Sequence, residues 1–182
     1  EIKVIELLDN AAKKLETDLA DEHEQRVKLK RTLAHTYNAL ALPQHAIPLE
    51  EQVYHYYLAT FDKEHPNTLR AMRDLAGSYF AAGRREEARD IQEKVLLLMR
   101  KVLGPEHPDT LDTMNHLAFV YFIAGRGDEA LELREASLAI CERVFGPEHI
   151  ETLSAMDALA SSYFNLRKRE EAFKLRTELL KT

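Results

Sequence analysis

The chain contains no tryptophan, one cysteine, and only six glycines and six prolines in 182 residues. Gly and Pro are the strongest local breakers of regular structure, so their scarcity leaves room for long helices. Cys141 alone cannot form an internal disulfide framework and fits a reducing, cytoplasmic compartment. It reads as a small apolar helix residue rather than a reactive thiol. Long apolar runs are missing as well. The longest, Leu117–Ala124, is far too short to span a membrane, and no signal peptide is visible. Positive charge is outweighed: 25 Lys and Arg against 31 Asp and Glu give a net charge of −6. That balance argues against a nucleic-acid partner, which normally needs a basic face. No His-Glu-x-x-His, Cys pair or Gly-rich phosphate loop occurs, and no nucleophile stands with a base and an acid at a motif spacing. No enzyme activity, metal or cofactor is expected.

What the chain has is a repeat. Gly104 to Tyr121 reads GPEHPDTLDTMNHLAFVY, Gly146 to Tyr163 reads GPEHIETLSAMDALASSY, and Asp62 to Tyr79 reads DKEHPNTLRAMRDLAGSY. A fainter copy, ADEHEQRVKLKRTLAHTY, runs from Ala20 to Tyr37. His23, His65, His107 and His149 therefore recur at steps of 42 residues. A fixed period of this size marks a stacked array in which each unit covers the hydrophobic face of its neighbour. The histidines, each preceded by Glu22, Glu64, Glu106 or Glu148, invite a metal reading. Neighbouring packed helices lie ~8–10 Å apart, however, so equivalent positions in successive units are too distant for one ion. Helix-start and inter-repeat packing is the reading that fits.

Each unit contains two helical patterns. In the first, Leu69, Met72, Leu75, Ala76 and Tyr79 recur at steps of three and four, which places them on one helix face. The pattern returns as Leu111, Met114, Leu117, Ala118 and Tyr121, and as Leu153, Met156, Leu159, Ala160 and Tyr163. The faint copy keeps Val27, Leu33, Ala34 and Tyr37 but has Lys30 in place of Met. Gly83-Arg84 and Gly125-Arg126 end the first helix; Leu40–Pro43 and Asn165–Lys168 stand there in the other copies. Ala46, Ala88, Ala130 and Ala172 mark the second helix, where Pro48 is expected within about the first turn. His107-Pro108-Asp109-Thr110 has the chemistry of a helix start. Residues 1–20 are helical, with Val4, Ile5, Leu7, Leu8, Ala11, Ala12, Leu15 and Leu19 on one broad face, and align with a second helix. The expected organisation is 1–20 as the second helix of a preceding repeat, then repeats at 21–62, 63–104, 105–146 and 147–182. Opening inside a helix without Met, the chain reads as a fragment of a longer protein.

Leu75-Ala76, Tyr79, Gly83 and Ala88, then Leu117-Ala118, Tyr121, Gly125 and Ala130, then Leu159-Ala160, Tyr163 and Ala172, resemble the tetratricopeptide repeat (TPR). The linker GPEHPDTL at 104–111 resembles in particular the 42-residue form of kinesin light chains. The resemblance implies an all-α, right-handed superhelical solenoid of antiparallel helix pairs, whose first helices line a concave groove that binds extended or helical peptides. It places Lys28, Arg31, Thr32, His35 and Asn38, then Arg70, Arg73, Asp74, Gly77 and Phe80 on that groove. Asp112, Asn115, His116, Phe119 and Phe122, then Ser154, Asp157, Ser161, Phe164 and Asn165 follow in the later copies. The paired Asn that kinesin light chains tend to carry before Leu-Ala is replaced by Arg31-Thr32, Arg73-Asp74, Asn115-His116 and Asp157-Ala158. Their cargo specificity is therefore not implied, nor is the full basic clamp of chaperone-binding members.

Charge along these helices is graded. Segment 26–40 carries Arg26, Lys28, Lys30 and Arg31 and no acid, whereas 110–124 and 152–166 each carry one acid and no Lys or Arg. This is either ordinary solvated charge or a seat for an acidic peptide at Lys28, Arg31, Arg70 and Arg73. Phe80, Phe119, Phe122 and Phe164 either pack between units or offer apolar sockets for a peptide anchor. Tyr54, Tyr56 and Tyr57 read as packing. Two functions remain open: a peptide-binding interaction scaffold, or a structural spacer or self-association element of a larger signalling or sensor protein.

Overall fold

The computed structural model describes residues 2–18 and 22–180. Glu1, Leu19, Ala20, Asp21, Lys181 and Thr182, to which the sequence assigns helix or repeat-boundary positions, lie outside the described residues. The described residues form nine α-helices and no strand. They are α1 (Ile2–Asp18), α2 (His23–Ala39), α3 (Pro43–Thr60), α4 (Pro66–Ala81), α5 (Arg85–Val102), α6 (Pro108–Ile123), α7 (Gly127–Phe145), α8 (Ile150–Asn165) and α9 (Arg169–Leu179). The chain divides into two compact units, residues 1–91 and 92–182. In the first, α2 packs on α1 and α3, and α3 on α4; in the second, α7 packs on α6 and α8, and α8 on α9.

The repeated histidine is a helix start. The backbone of His65, His107 and His149 is extended, and each Nδ1 accepts from the backbone N–H two residues on, at 3.2, 3.1 and 3.2 Å. An unpaired first-turn N–H is thereby satisfied, as Ser or Asp would satisfy it elsewhere. Pro66 and Pro108 follow at the first helical position, where a missing N–H is harmless. The faint copy differs: α2 begins on His23 itself, after Glu22, with no side-chain cap.

All four first helices end in one turn. Gly83 and Gly125 adopt φ of 81° and 78°, and the N–H after each returns to the carbonyl of Tyr79 or Tyr121 at 2.8 and 2.9 Å. Ala41 and Arg167 occupy the equivalent places with φ of 57° and 62°, and Leu42 and Lys168 make the same bond at 2.9 Å. Those two copies thus hold a left-handed residue without the residue that tolerates it best.

The predicted core faces are mostly buried, with Met72, Tyr121, Leu153 and Tyr163 half-buried. Ala34, Ala76, Ala118 and Ala160 lie at 0–1 % exposure, and Ala34 shares a cluster with Leu33, Tyr37, Ala46 and Leu49. The second unit is centred on Leu111, Met114, Leu117, Leu138, Met156 and Leu159. Each core tyrosine donates its hydroxyl to a carboxylate 28 residues earlier: Tyr37 to Asp9, Tyr79 to Glu51, Tyr121 to Glu93, Tyr163 to Glu135, at 2.6–2.9 Å. Burial, then the bonded carboxylate, pushes the phenols of Tyr121 and Tyr163 up to about 12. Arg84 and Arg126 lie over the rings of Tyr79 and Tyr121, 4.0 and 4.2 Å from their centres, and are held by Glu87 and Glu129. In the faint copy His45 takes that place, stacked on Tyr37 and 3.2 Å from Asp9.

Two expectations are corrected. Among the described residues of the broad α1 face, Leu8, Ala12 and Leu15 join a core cluster, whereas Val4, Leu7 and Ala11 are exposed. Pro48 is the sixth residue of α3, not part of its first turn; its exposed position leaves the freed carbonyl of Gln44 to solvent. Lys30 lies on the core side, as its alignment with the core Met positions implies. Its side chain is buried, with Nζ 2.5 Å from both Gln52 Oε1 and Glu16 Oε1, so the ammonium that replaces Met is neutralised inside.

Candidate functional site

In the first unit, α2 and α4 present their off-core faces together. An open cleft of about 490 Å³ is lined by Lys28, Arg31, Thr32, His35, Tyr57 and Asn67. Its cations already have carboxylate company. Lys28 Nζ lies 2.6 Å from Glu24, one turn earlier. Arg31 donates Nε and Nη2 to Asp74 Oδ2 at 2.9 and 2.8 Å, and His35 Nε2 stands 3.3 Å from the same oxygen. Arg73 approaches the other oxygen of Asp74 at 3.8 Å. The acid-free stretch 26–40 is therefore balanced across helices, by a residue 43 positions away in the case of Arg31. Arg70 and Arg73 are half-buried on α4, and Phe80 packs in a cluster with Leu75, Tyr79 and Ile91. Tyr54, Tyr56 and Tyr57 pack with Val27, Val53 and Ala71, as expected of them.

Beneath this face lies a polar cluster that sequence reasoning missed. Asn38 Nδ2 donates to Glu50 Oε1 at 3.1 Å and to Ser78 Oγ at 2.6 Å, joining α2, α3 and α4. Glu50 is only 2 % exposed. Burial pushes its carboxyl up to about 7; the bond from Ser78 and that from Asn38 oppose this, as does Arg31, while Asp74 adds to it.

The second unit fills the same positions differently. Asn115 is half-buried and His116 exposed, its Nε2 3.8 Å from Asp112. Phe119 and Phe164 are exposed at 46 % and 56 %, and Phe122 is half-buried. The guanidinium of Arg176 lies 5.6 Å from the ring centre of Phe164. Arg134 of α7 reaches the carbonyl of Ala158 at 2.6 Å and the hydroxyl of Ser162; desolvation lowers its basicity. Phe80 and Phe122 thus follow the packing alternative more closely than Phe119 and Phe164.

The signal that would have exposed the missed residues was periodic. Glu50, Gln92, Arg134 and Arg176 stand one repeat apart on successive second helices. Glu50 and Gln92 are buried, Arg134 is half-buried and Arg176 is exposed, so the recurrence points to an interior polar position in the first two copies only. Among the described residues no group of three His, Cys, Asp or Glu could hold a metal, and no helix is long and apolar enough to cross a membrane. Cys141 is buried, and burial pushes its thiol up, away from the reactive thiolate.

Known proteins agree with this architecture. Family profiles described as tetratricopeptide repeat match residues 68–109 and 109–181. Among solved structures, a Podosopora anserina protein of kinesin-light-chain type with nearly identical TPR-like repeats is 31 % identical, with a TM-score of 0.78. That match covers 94 % of this chain and 85 % of the other. BtubC (BKLC) from P. vanneervenii shares the fold at 18 % identity and a TM-score of 0.78, over 97 % of this chain and 70 % of its own. A Rap protein complexed with competence and sporulation factor shares it at 14 % identity and 0.72, over 86 % of this chain and 42 % of its own. No curated protein matches the sequence. With its period, its capped helix pairs and these relatives together, the chain belongs to the tetratricopeptide-repeat family, in its kinesin-light-chain-like form.

Proposed function

We propose that the chain is a non-enzymatic protein-interaction scaffold that takes an extended or helical acidic peptide against the groove faces of its first helices. One observation carries the reading. Lys28, Arg31 and His35 line one open cleft, and the carboxylate of Asp74, within 3 Å of Arg31 and 3.3 Å of His35, orients two of these three side chains. A ligand carboxylate would meet cations held in a working geometry, at ~1.5–3 kcal/mol per charge-assisted bond where water is excluded. Phe119 and Phe164 supply exposed apolar surface in the second unit, of the kind that receives an anchor residue. Residues proposed to contact the peptide are Lys28, Arg31, His35, Asn38, Arg70, Arg73, Phe80, Asn115, His116, Phe119, Phe122 and Phe164. The test is Arg70→Glu with Arg73→Glu, read by fluorescence anisotropy with a labelled Glu-rich peptide. Affinity should drop tenfold or more while far-UV circular dichroism stays the same; unchanged affinity discards the acidic-peptide reading.

A second reading, self-association, is favoured by Phe173 and Leu180 in and after α9, exposed at 75 % and 87 %. Light scattering over a concentration series separates the two. A persistent monomer counts against self-assembly.

A further inference from the structure

Glu50 is unusual among the carboxyls of this chain. It lies on α3 between α2 and α4, and both helices face it with polar groups. Arg31 and Asn38 come from α2, Asp74 and Ser78 from α4. Arg31, whose positive charge acts on Glu50, is itself engaged with Asp74. Glu50 Oε2 and Asn38 Oδ1 are both buried acceptors without a hydrogen-bond donor. The two hydrogens of Asn38 Nδ2 already go to Glu50 Oε1 and Ser78 Oγ. Even with the Ser78 hydroxyl bonded to Glu50, the cluster has fewer donor hydrogens than buried acceptor oxygens, and an anion with an unpartnered oxygen is costly in such a place. A proton on Oε2 removes the charge and supplies a donor together.

We propose that Glu50 is a proton switch beneath the groove face of the first unit, and that engagement of Arg31 and His35 by an external carboxylate is accompanied by uptake of one proton from solvent onto Glu50. This inference rests on the acidic-peptide reading for its ligand, though its electrostatics do not. Arg31 offsets the negative charge of Asp74 at Glu50; a second carboxylate on Arg31 cancels that offset and leaves the field at Glu50 more negative. A more negative field favours the protonated carboxyl. Binding then draws in a proton, and affinity falls as pH rises past neutrality, by at most tenfold per pH unit for one linked proton. The burial of Glu50 independently places this titration near neutrality rather than in the usual carboxylate range. One repeat later the same position holds Gln92, the neutral isostere, so proton linkage is expected of the first unit's position alone.

The experiment is a pH titration of the Glu50 side-chain carboxyl carbon by NMR in the full chain, with Glu50→Gln identifying the signal. The expected midpoint lies near neutrality. It should move up in Arg31→Gln, which removes the offsetting cation, and down in Asp74→Asn, which removes the repelling anion. Either variant alone reports the coupling if the other fails to fold. A midpoint in the ordinary carboxylate range, or one that moves in neither folded variant, overturns the proposal. Adding hexaglutamate to wild type should raise the midpoint as Arg31→Gln does; bound peptide with an unmoved Glu50 also overturns it. If hexaglutamate does not bind while the variants still move the Glu50 midpoint, the proton coupling is supported and the acidic-peptide reading is what falls.

Discussion

At one position of the second helix, the first unit carries Glu50 and the second carries Gln92 and Arg134. Glu50 is buried beside Asn38 and Ser78, while Arg134 extends to the carbonyl of Ala158 and to Ser162. The first-helix position above holds Asn38 and the packed Phe80 in the first unit, and Phe122 and the exposed Phe164 in the second. One unit therefore builds its wall from a partly satisfied polar cluster and paired charges, the other from aromatic surface and a desolvated guanidinium. The backbone scaffold is indifferent to the change, because the tyrosine clamp, the alanine contact and the terminal turn recur in both units. Chemistry on a solenoid wall can vary repeat by repeat while the stacking surfaces stay constant.

The largest effect should come from Glu50. Folded, its carboxyl keeps a proton up to about 7, whereas the ordinary value is 4.5. The folded state then binds more protons across that window, so stability falls as pH rises through it and levels off above. Glu50→Gln should raise the unfolding free energy above neutrality by about 3 kcal/mol, since each pH unit of that window contributes about 1.36 kcal/mol. It should also abolish the fall in urea melts across pH. Gln92→Glu should install a similar fall in the second unit. If the wild-type curve survives Glu50→Gln, Glu50 is not its source.

Next in size is the helix contact that the units share. Ala76 and Ala118 are fully buried, so Ala76→Leu and Ala118→Leu should each cost about 1–3 kcal/mol by overpacking, read in urea melts. A loss confined to one unit would show that the contact is not equivalent. Smaller still are the clamps. Tyr37→Phe and Tyr121→Phe each remove a hydroxyl bond to a carboxylate, at about 1 kcal/mol. Only Tyr37→Phe should speed amide exchange in α1, because Asp9 is its partner there. Least of all, Ala41→Gly and Arg167→Gly should each stabilise by about 0.5–1 kcal/mol in thermal melts, relieving a left-handed residue in either unit. Gly83→Ala and Gly125→Ala should do the reverse.

Much of this was legible in the residues. The His-Pro starts, the Leu-Ala-Tyr face and the Gly ends each act within a few residues of themselves, so their spacing declared them. The groove positions were legible as a helix face. Their ion pairing was not, because Arg31 finds Asp74 only once helices distant in sequence are packed together. Arg70 and Arg73 were singled out from their own helix in the same way, without the partners that packing brings to it.

The repeat period, the all-α class and the identity of the core face followed from sequence alone, because all are set by local geometry and a 42-residue recurrence. Which polar groups would be shut away together was decided by the tertiary structure. Glu50 reads as one more glutamate until α2 and α4 close over it, remove its water and leave one oxygen without a donor. Desolvation is a property of the assembled neighbourhood, and no single stretch of the chain contains it.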